Sequence, residues 1–389
     1  MSKKKIVAMT GGGSGGHLTP LIAVAEQFNK LSPDYDIAYI GQTGDKLGDI
    51  MHDHPDLFVS VKTVRAGKLR RYHGEGMKQL LDIKTLLLNI RDMLYVAVGF
   101  VQALLLLRRL RPKVLFCKGG FVGVPVAWAA WLLRIPYVTH DSDVIPGLAN
   151  RIISKGATLH AVAMPKELYR YPAHKTVTVG VPIAARFKRA TDTVKAQARE
   201  SLGLPKKAAV VLVVGGGLGA VRINEAIMSG VKDILKQPDV HLLHVVGRDN
   251  EQTANEQYDK KLTPVDRKRV TVYGFTNKVA LLGEAADIVV TRAGATALAE
   301  FSTQGKPCII VPNPYLTSGH QIKNAHAYKE KQAAVVVAED HVDELPHIID
   351  LLLHNPQKQQ ELSDNISSFS TKDSAQLLAN LLLTAAEKQ

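Results

Sequence analysis

Short apolar runs, bounded by glycine, proline or polar residues, recur along the whole chain and alternate with stretches whose apolar residues return every three or four positions. Such runs predict buried strands, and the longer spacing predicts helices with one apolar face between them. In the first half, strands are predicted at residues 5–9, 36–41, 58–63, 113–117, 136–140 and 176–179. In the second half they are predicted at residues 209–214, 241–246, 270–273, 287–291 and 307–311. Regular alternation of strand and helix predicts an α/β fold with parallel sheets.

The connections carry the chemistry. Residues 10–20 read TGGGSGGHLTP, with five glycines in six positions between the first strand and a helix in which Pro20 suits the first turn. A strand, a glycine loop and a helix start form an anion cradle, because backbone N–H groups and the positive end of the helix dipole point at the ligand. His17 is then the titratable side chain at the mouth of the loop and the candidate general base. Gly11, Gly13 and Gly16 also satisfy G-x-G-x-x-G, which by itself suits a dinucleotide site equally well. Against that, the second strand ends in Gly41 and Gln42, with no carboxylate for a ribose. Residues 210–223, VVLVVGGGLGAVRI, repeat the plan about 200 residues later. The expectation is two Rossmann-like doubly wound domains facing a central cleft, residues 1–183 and 184–389, with the last helix able to pack back on the first domain. Two such halves around one ligand suggest a nucleotide-sugar glycosyltransferase.

Further candidates follow from the same logic. KGGFVGVP, residues 118–125, is a second glycine loop at a strand end, and HDSDVIPGLAN, residues 140–150, places acids and amides on the same rim. Residues 292–300, RAGATALAE, form a small-residue turn that opens a helix: Arg292, Gly294, Ala295 and Thr296 are placed for a diphosphate, and Glu300 for the paired ribose hydroxyls. Gln321 and Asn324 share one helical face, spaced for sugar hydroxyls.

Composition narrows the partners. Net charge is +13 over 389 residues, which implies an anionic partner. Basic clusters lie at 62–71, 108–113 and 166–189, and the first two flank an aliphatic stretch at 80–107, without the aromatic and glycine interleaving that stacks bases. An anionic membrane surface is therefore expected, and nucleic acid is not. The longest nearly uncharged run, 93–107, is expected to dock on a bilayer or in the core but to be too short to cross. The apolar run near the N-terminus is too short for a signal peptide. The chain is thus expected on the cytoplasmic side, as a peripheral protein of the cell membrane. Two cysteines, Cys117 and Cys308, build neither a redox pair nor a zinc cluster, and His52 and His54 lack a third ligand, so no metal and no cofactor are expected.

Taken together, GGGSGGH, GKLRRY, KGGFVGVP, HDSDVIPGLAN, GGGLGA, TRAGATALAEF and HQIKNA follow the order of a known family over nearly the whole chain. The chain resembles the MurG family, the glycosyltransferases of peptidoglycan synthesis that add N-acetylglucosamine to a lipid-linked muramyl-pentapeptide. The resemblance implies a GT-B fold and an inverting transfer from UDP-N-acetylglucosamine. It places Ser14, Gly15, Gly16, Gly217, Phe275, Arg292, Gly294, Ala295, Thr296, Glu300, Gln321 and Asn324 on the donor. It places Gly13, His17, Gly119, Gly120, Phe121 and Asn150 on the acceptor side, with His17 as the base. The chain departs from the family pattern at Ala184, where an arginine is common, at Gly217, where a serine is common, and at Asp141, where a glutamate is common. A diacylglycerol glycosyltransferase or a UDP-N-acetylglucosamine epimerase of the same fold are the rival enzymes. A non-enzymic nucleotide-sugar binder is the rival of another class, and His17 at the loop mouth argues against it.

Overall fold

In the computed structural model, which describes residues 4–12, 15–45, 48–68, 83–216, 219–316, 319–371 and 373–387, the apolar runs form two sheets whose strand pairs are all parallel. Contacts divide the chain into one unit of Met1–Ala184 with Thr371–Gln389 and a second of Ala185–Ser370.

The first sheet contains β1 (Lys5–Thr10), β2 (Tyr35–Gln42), β3 (Phe58–Val64), β4 (Val114–Cys117), β5 (Tyr137–Asp141), β6 (Leu159–Val162) and β7 (Thr176–Thr178) in the order β3-β2-β1-β4-β5-β6-β7. The order reverses beside β1, and this switch point is where connections on opposite faces leave a crevice at the carboxyl edge. Thr10 pairs with Cys117, so the loops that begin at Gly11 and Lys118 leave the sheet side by side. The second sheet repeats the arrangement with β8 (Ala209–Val214), β9 (Val240–Val245), β10 (Val270–Tyr273), β11 (Ile288–Arg292), β12 (Cys308–Val311) and β13 (Val335–Val336), ordered β10-β9-β8-β11-β12-β13. Val214 pairs with Thr291, which again sets two loops together at the switch point. β6 and β13 were not foreseen. β6 is four residues with a histidine in it, and β13 is only two.

Helices of the first unit are α1 (Gly15–Leu31), α2 (Ile83–Leu110), α3 (Gly123–Leu132) and α4 (Leu148–Ile153). The second carries α5 (Asp192–Ser201), α6 (Val221–Ser229), α7 (Val231–Ile234), α8 (Glu251–Lys261), α9 (Pro264–Arg267), α10 (Val279–Ala285), α11 (Ala295–Gln304), α12 (His320–Glu330), α13 (Leu345–Leu353) and α14 (Pro356–Ser367). A last helix, α15 (Ser374–Glu387), buries Leu378, Ala379 and Leu382 in the first unit's core with Leu21, Val24 and Phe28 of α1.

Two expectations are corrected. α1 begins at Gly15, so Pro20 lies inside the helix and His17 stands in its first turn, not in the loop ahead of it. The second concerns the aliphatic run, which belongs to a 28-residue helix, α2. Its part at Thr85–Leu110 is long and apolar enough to cross a membrane by length and composition, and most of it is not buried against the protein. Arg91 and Asp92 interrupt the apolar run without ending the helix; they pair with each other at 2.9 Å, and Asp92 also accepts from Lys68 N at 3.2 Å. One face of α2 joins the core through Ala103 and Leu107, where α3 packs. Gly67 and Gly99 let the segment that follows β3 lie directly against α2: a Cβ on Gly67 would run into the backbone of Asp92, and one on Gly99 into that of Arg65. The opposite face leaves Leu87, Ile90, Leu94, Val101 and Leu105 exposed, and α3 adds Trp128, Trp131 and Leu132.

Candidate active site

In the first unit the site grows from the ends of β1, β4 and β5. Thr10 Oγ1 donates to the Ile40 carbonyl at 2.8 Å and the Tyr39 hydroxyl to that of Gly11 at 2.6 Å, which fixes the start of the glycine loop. Gly13 and Ser14 lie outside the described residues; Gly15 and Gly16 form the first positions of α1. His17 Nδ1 is 2.9 Å from the Gly12 carbonyl. A carbonyl can only accept, so Nδ1 carries the proton and Nε2 the lone pair that a general base needs. Burial, reinforced by the Lys118 ammonium, lowers the imidazole pKa to about 4, against the Gly12 hydrogen bond and Asp143, which raise it. The ring is therefore neutral at physiological pH.

The second glycine loop closes on the first. Gly120, at φ +80°, leaves no room for a Cβ, which would lie 2.5 Å from the Gly12 oxygen and 3.4 Å from His17 Nδ1. Gly119, at φ +104°, packs against the Asn150 amide. Phe121 packs into the hydrophobic cluster beneath α2 and α3. Asn150 is buried, and its Nδ2 donates to the His140 carbonyl and to Asp141 Oδ1, both at 2.9 Å. Asn150 thus braces the loop, while Phe121 stays partly exposed beside it. Asp141 also accepts from the Tyr171 hydroxyl at 2.9 Å and from Gly147 N at 3.2 Å. Burial raises its pKa while these hydrogen bonds lower it. Lys118 is the polar residue that the sequence reading passed over, and its sign was there to read: a lysine directly after a wholly apolar strand.

In the second unit Gly217 lies outside the described residues, while Gly219 is pressed against the Val246 carbonyl that Asn224 and Asn250 also bind. Gly294 is the N-cap of α11 and offers no side-chain cap, and Ala295 and Thr296 form the first turn, at the positive end of the helix dipole. Arg292 is committed elsewhere. Its guanidinium pairs bidentately with Glu339 and donates to the Val311 carbonyl at 3.2 Å, holding β11 to the far side of β12. Gln321 Oε1 accepts from Asn313 N at 2.9 Å, and Asn324 Nδ2 donates to the Ala293 carbonyl at 3.0 Å. Both amides are buried, and they tie the loops at Asn313 and Ala293 to α12.

Glu300, on α11, forms no hydrogen bond or ion pair with any described residue. Burial, opposed by Arg186, raises its pKa to about 8. A recessed carboxyl without a protein partner is a receptor for donors from a ligand. Phe275 is 54% exposed, and the Arg248 guanidinium lies 5.0 Å from its ring centroid.

Two doubly wound parallel units, each with glycine loops at its switch point, are the architecture of GT-B glycosyltransferases. Residues 7–162 match the glycosyltransferase family 28 N-terminal domain and residues 210–378 the family 28 C-terminal domain. The chain belongs to glycosyltransferase family 28 and is a hexosyltransferase. It is 30% identical over 378 residues to a protein of Caldicellulosiruptor saccharolyticus, with 96% of each chain covered. That relative is named UDP-N-acetylglucosamine–N-acetylmuramyl-(pentapeptide) pyrophosphoryl-undecaprenol N-acetylglucosamine transferase. A Borrelia hermsii protein of the same name is 29% identical over 387 residues, with 98% of each covered. Among solved structures, MurG of Acinetobacter baumannii superposes with a TM-score of 0.69 at 20% identity, covering 98% of this chain and 100% of that one.

Proposed function

We propose that the chain transfers N-acetylglucosamine from UDP-N-acetylglucosamine to a lipid-linked muramyl-pentapeptide, as its relatives are named for doing. The observation that carries this reading is Glu300, a recessed carboxyl without a hydrogen-bond partner among the described residues, on a family 28 helix whose N-cap is a glycine. Such a helix start attracts a diphosphate, and such a carboxyl attracts the neighbouring ribose hydroxyls. Within this reading His17 takes the acceptor hydroxyl's proton on Nε2, and the positive end of α11 stabilises the departing UDP. Phe275 provides an exposed ring for the uracil. Arg292, Gln321 and Asn324 act by holding the loop that receives the sugar nucleotide.

The acceptor is a lipid, and the outer face of α2 fits the surface in which it resides. Leucines at helical spacing, two exposed tryptophans on α3, and Arg108 and Arg109 at the end of α2 form an apolar ridge with a basic border. That combination docks on an anionic membrane. The buried Asp92 and the bond from Arg65 N to Gln102 at 2.8 Å tie the other face to the protein, so α2 lies on the cytoplasmic side of the membrane surface.

The test is incubation with UDP-N-acetylglucosamine and either lipid-linked muramyl-pentapeptide or diacylglycerol, reading UDP release and lipid product. Sugar transfer to the muramyl lipid alone is the expected result. Transfer to diacylglycerol, or epimerisation of the donor without an acceptor, would overturn the reading.

A further inference from the structure

Lys118 is a charged residue in a place where packing asks for none. It follows four buried apolar residues of β4, is itself 3% exposed, and its Nζ donates to Ser142 Oγ at 3.0 Å. A methionine would fill a slot of that length. Sequestering an ammonium from water is costly unless fixed counter-charges surround it. Two stand on the same segment as Ser142: Asp141, whose oxygens are held by Asn150, Tyr171 and Gly147, and Asp143.

The ammonium also sits at a seam. Lys118 N donates to the Thr10 carbonyl at 2.9 Å, its Cβ abuts Gly11, and two residues on Gly120 touches Gly12 and His17. The groups facing this seam are His17 on α1, Lys118 after β4, His140, Asp141 and Asp143 from β5 onward, and Tyr39 and Asp45 from the β2 side of the glycine loop. His140 Nε2 donates to the Gly180 carbonyl at 2.9 Å, and burial, with Lys118, holds the pKa of the ring well below the usual imidazole range, so it is neutral.

We propose that Lys118 is a positioning residue of the transfer reaction: its ammonium, tethered to Ser142 between the two glycine loops, and the opposing Asp143 together set the field in which His17 accepts and releases a proton. The proposal rests on His17 being the base. Lys118 disfavours the imidazolium and Asp143 favours it, so removing either should move the titration in opposite directions. At neutral pH Lys118 remains the charged member of the pair, since burial lowers its pKa only to about 8 against the pull of Asp143 and Asp141.

The experiment is carbon-13 NMR titration of histidine-labelled full-length protein, with His17 assigned by His17→Gln, alongside kcat and KM for UDP-N-acetylglucosamine as a function of pH. Lys118→Met should raise the His17 midpoint by about one unit, Asp143→Asn should lower it, and Lys118→Arg should leave it in place. The acid limb of kcat should follow in the same direction, with KM for the donor unchanged. A His17 midpoint that stays put in folded Lys118→Met overturns the proposal. Should that variant not fold, an unmoved midpoint in Asp143→Asn overturns it equally. Failure of the base assignment looks different: the wild-type rate would then not track the wild-type His17 titration, whatever the variants do to the spectrum.

Discussion

Replacing Leu87, Leu94 and Leu105 together with serine tests the membrane face of α2. The three side chains are 61%, 63% and 62% exposed and lie at helical spacing on one side, so none of them supports the core. Burying a whole leucine is worth about 1.5–3 kcal/mol, and roughly three-fifths of each remains to be buried, which gives about 1 kcal/mol per residue at the lower bound. Three residues sum to about 3 kcal/mol, on the order of 100-fold in partitioning at ~1.4 kcal/mol per factor of ten. The assay is co-sedimentation with vesicles of phosphatidylethanolamine and phosphatidylglycerol, with UDP affinity and melting temperature measured on the same protein. Vesicle affinity should fall by that factor while the other two stay level, and raising salt should weaken wild-type binding further as the basic border is screened. A folded triple variant that binds within about threefold of wild type would refute the reasoning, because a difference that small is below 1 kcal/mol. Leu107 is the wrong residue for this purpose: it is 0% exposed and its loss opens a cavity instead.

Other outcomes follow from the two loops. His17→Ala should lower turnover by roughly 100-fold to 10,000-fold with both substrates still bound, and the wild-type rate should be flat above about pH 5, since the folded imidazole titrates near 4. Glu300→Ala should weaken donor binding by about 0.5–1.5 kcal/mol in calorimetry at neutral pH, where burial keeps the carboxyl protonated, as ribose hydroxyls lose a hydrogen-bond partner. Glu300 also makes a stability prediction: its folded pKa is raised to about 8, so its contribution is fully present below the unfolded carboxyl pKa and is lost as pH rises through 8. Glu300→Gln should therefore melt higher than wild type at pH 9 and match it at pH 4. Arg292→Ala strands the buried Glu339 carboxylate and should cost about 3–5 kcal/mol in denaturant unfolding of the second unit. The double change Arg292→Met with Glu339→Leu should recover most of it.

Most strands of both sheets were legible as short apolar runs, since burial on both faces leaves no polar position to confuse the pattern; β13 was missed although it lies in the apolar run at 333–338, of which only two residues pair. β6 was not legible, because its His160 is buried and satisfied by Thr139 at 2.8 Å, an arrangement that exists only once the strands pair. α1 was placed late because proline marks a first turn more often than an interior one, whereas here the glycines wind into the helix ahead of it. α2 was cut short at Arg91 and Asp92, a pair whose mutual neutralisation sequence does not display. At the site, the positions of the loops and of Glu300 were readable. What Asn150, Gln321, Asn324 and Arg292 do was not, because an amide or guanidinium that binds a sugar and one that ties two loops have the same spacing along a helix.

The return of Thr371–Gln389 to the first unit has a consequence for how the molecule is made. The second unit is, in topological terms, an insertion between two parts of the first. Leu378, Ala379 and Leu382 of α15 complete the core around Leu21, Val24 and Phe28, so that core stays open while residues 185–370 emerge from the ribosome. Gly180, at φ +80°, holds the place where Thr371 and Ser374 come back, leaving no space for a side chain. The half that begins first is thus the half that closes last, and during synthesis α1 exposes an apolar stripe that a chaperone would have reason to cover.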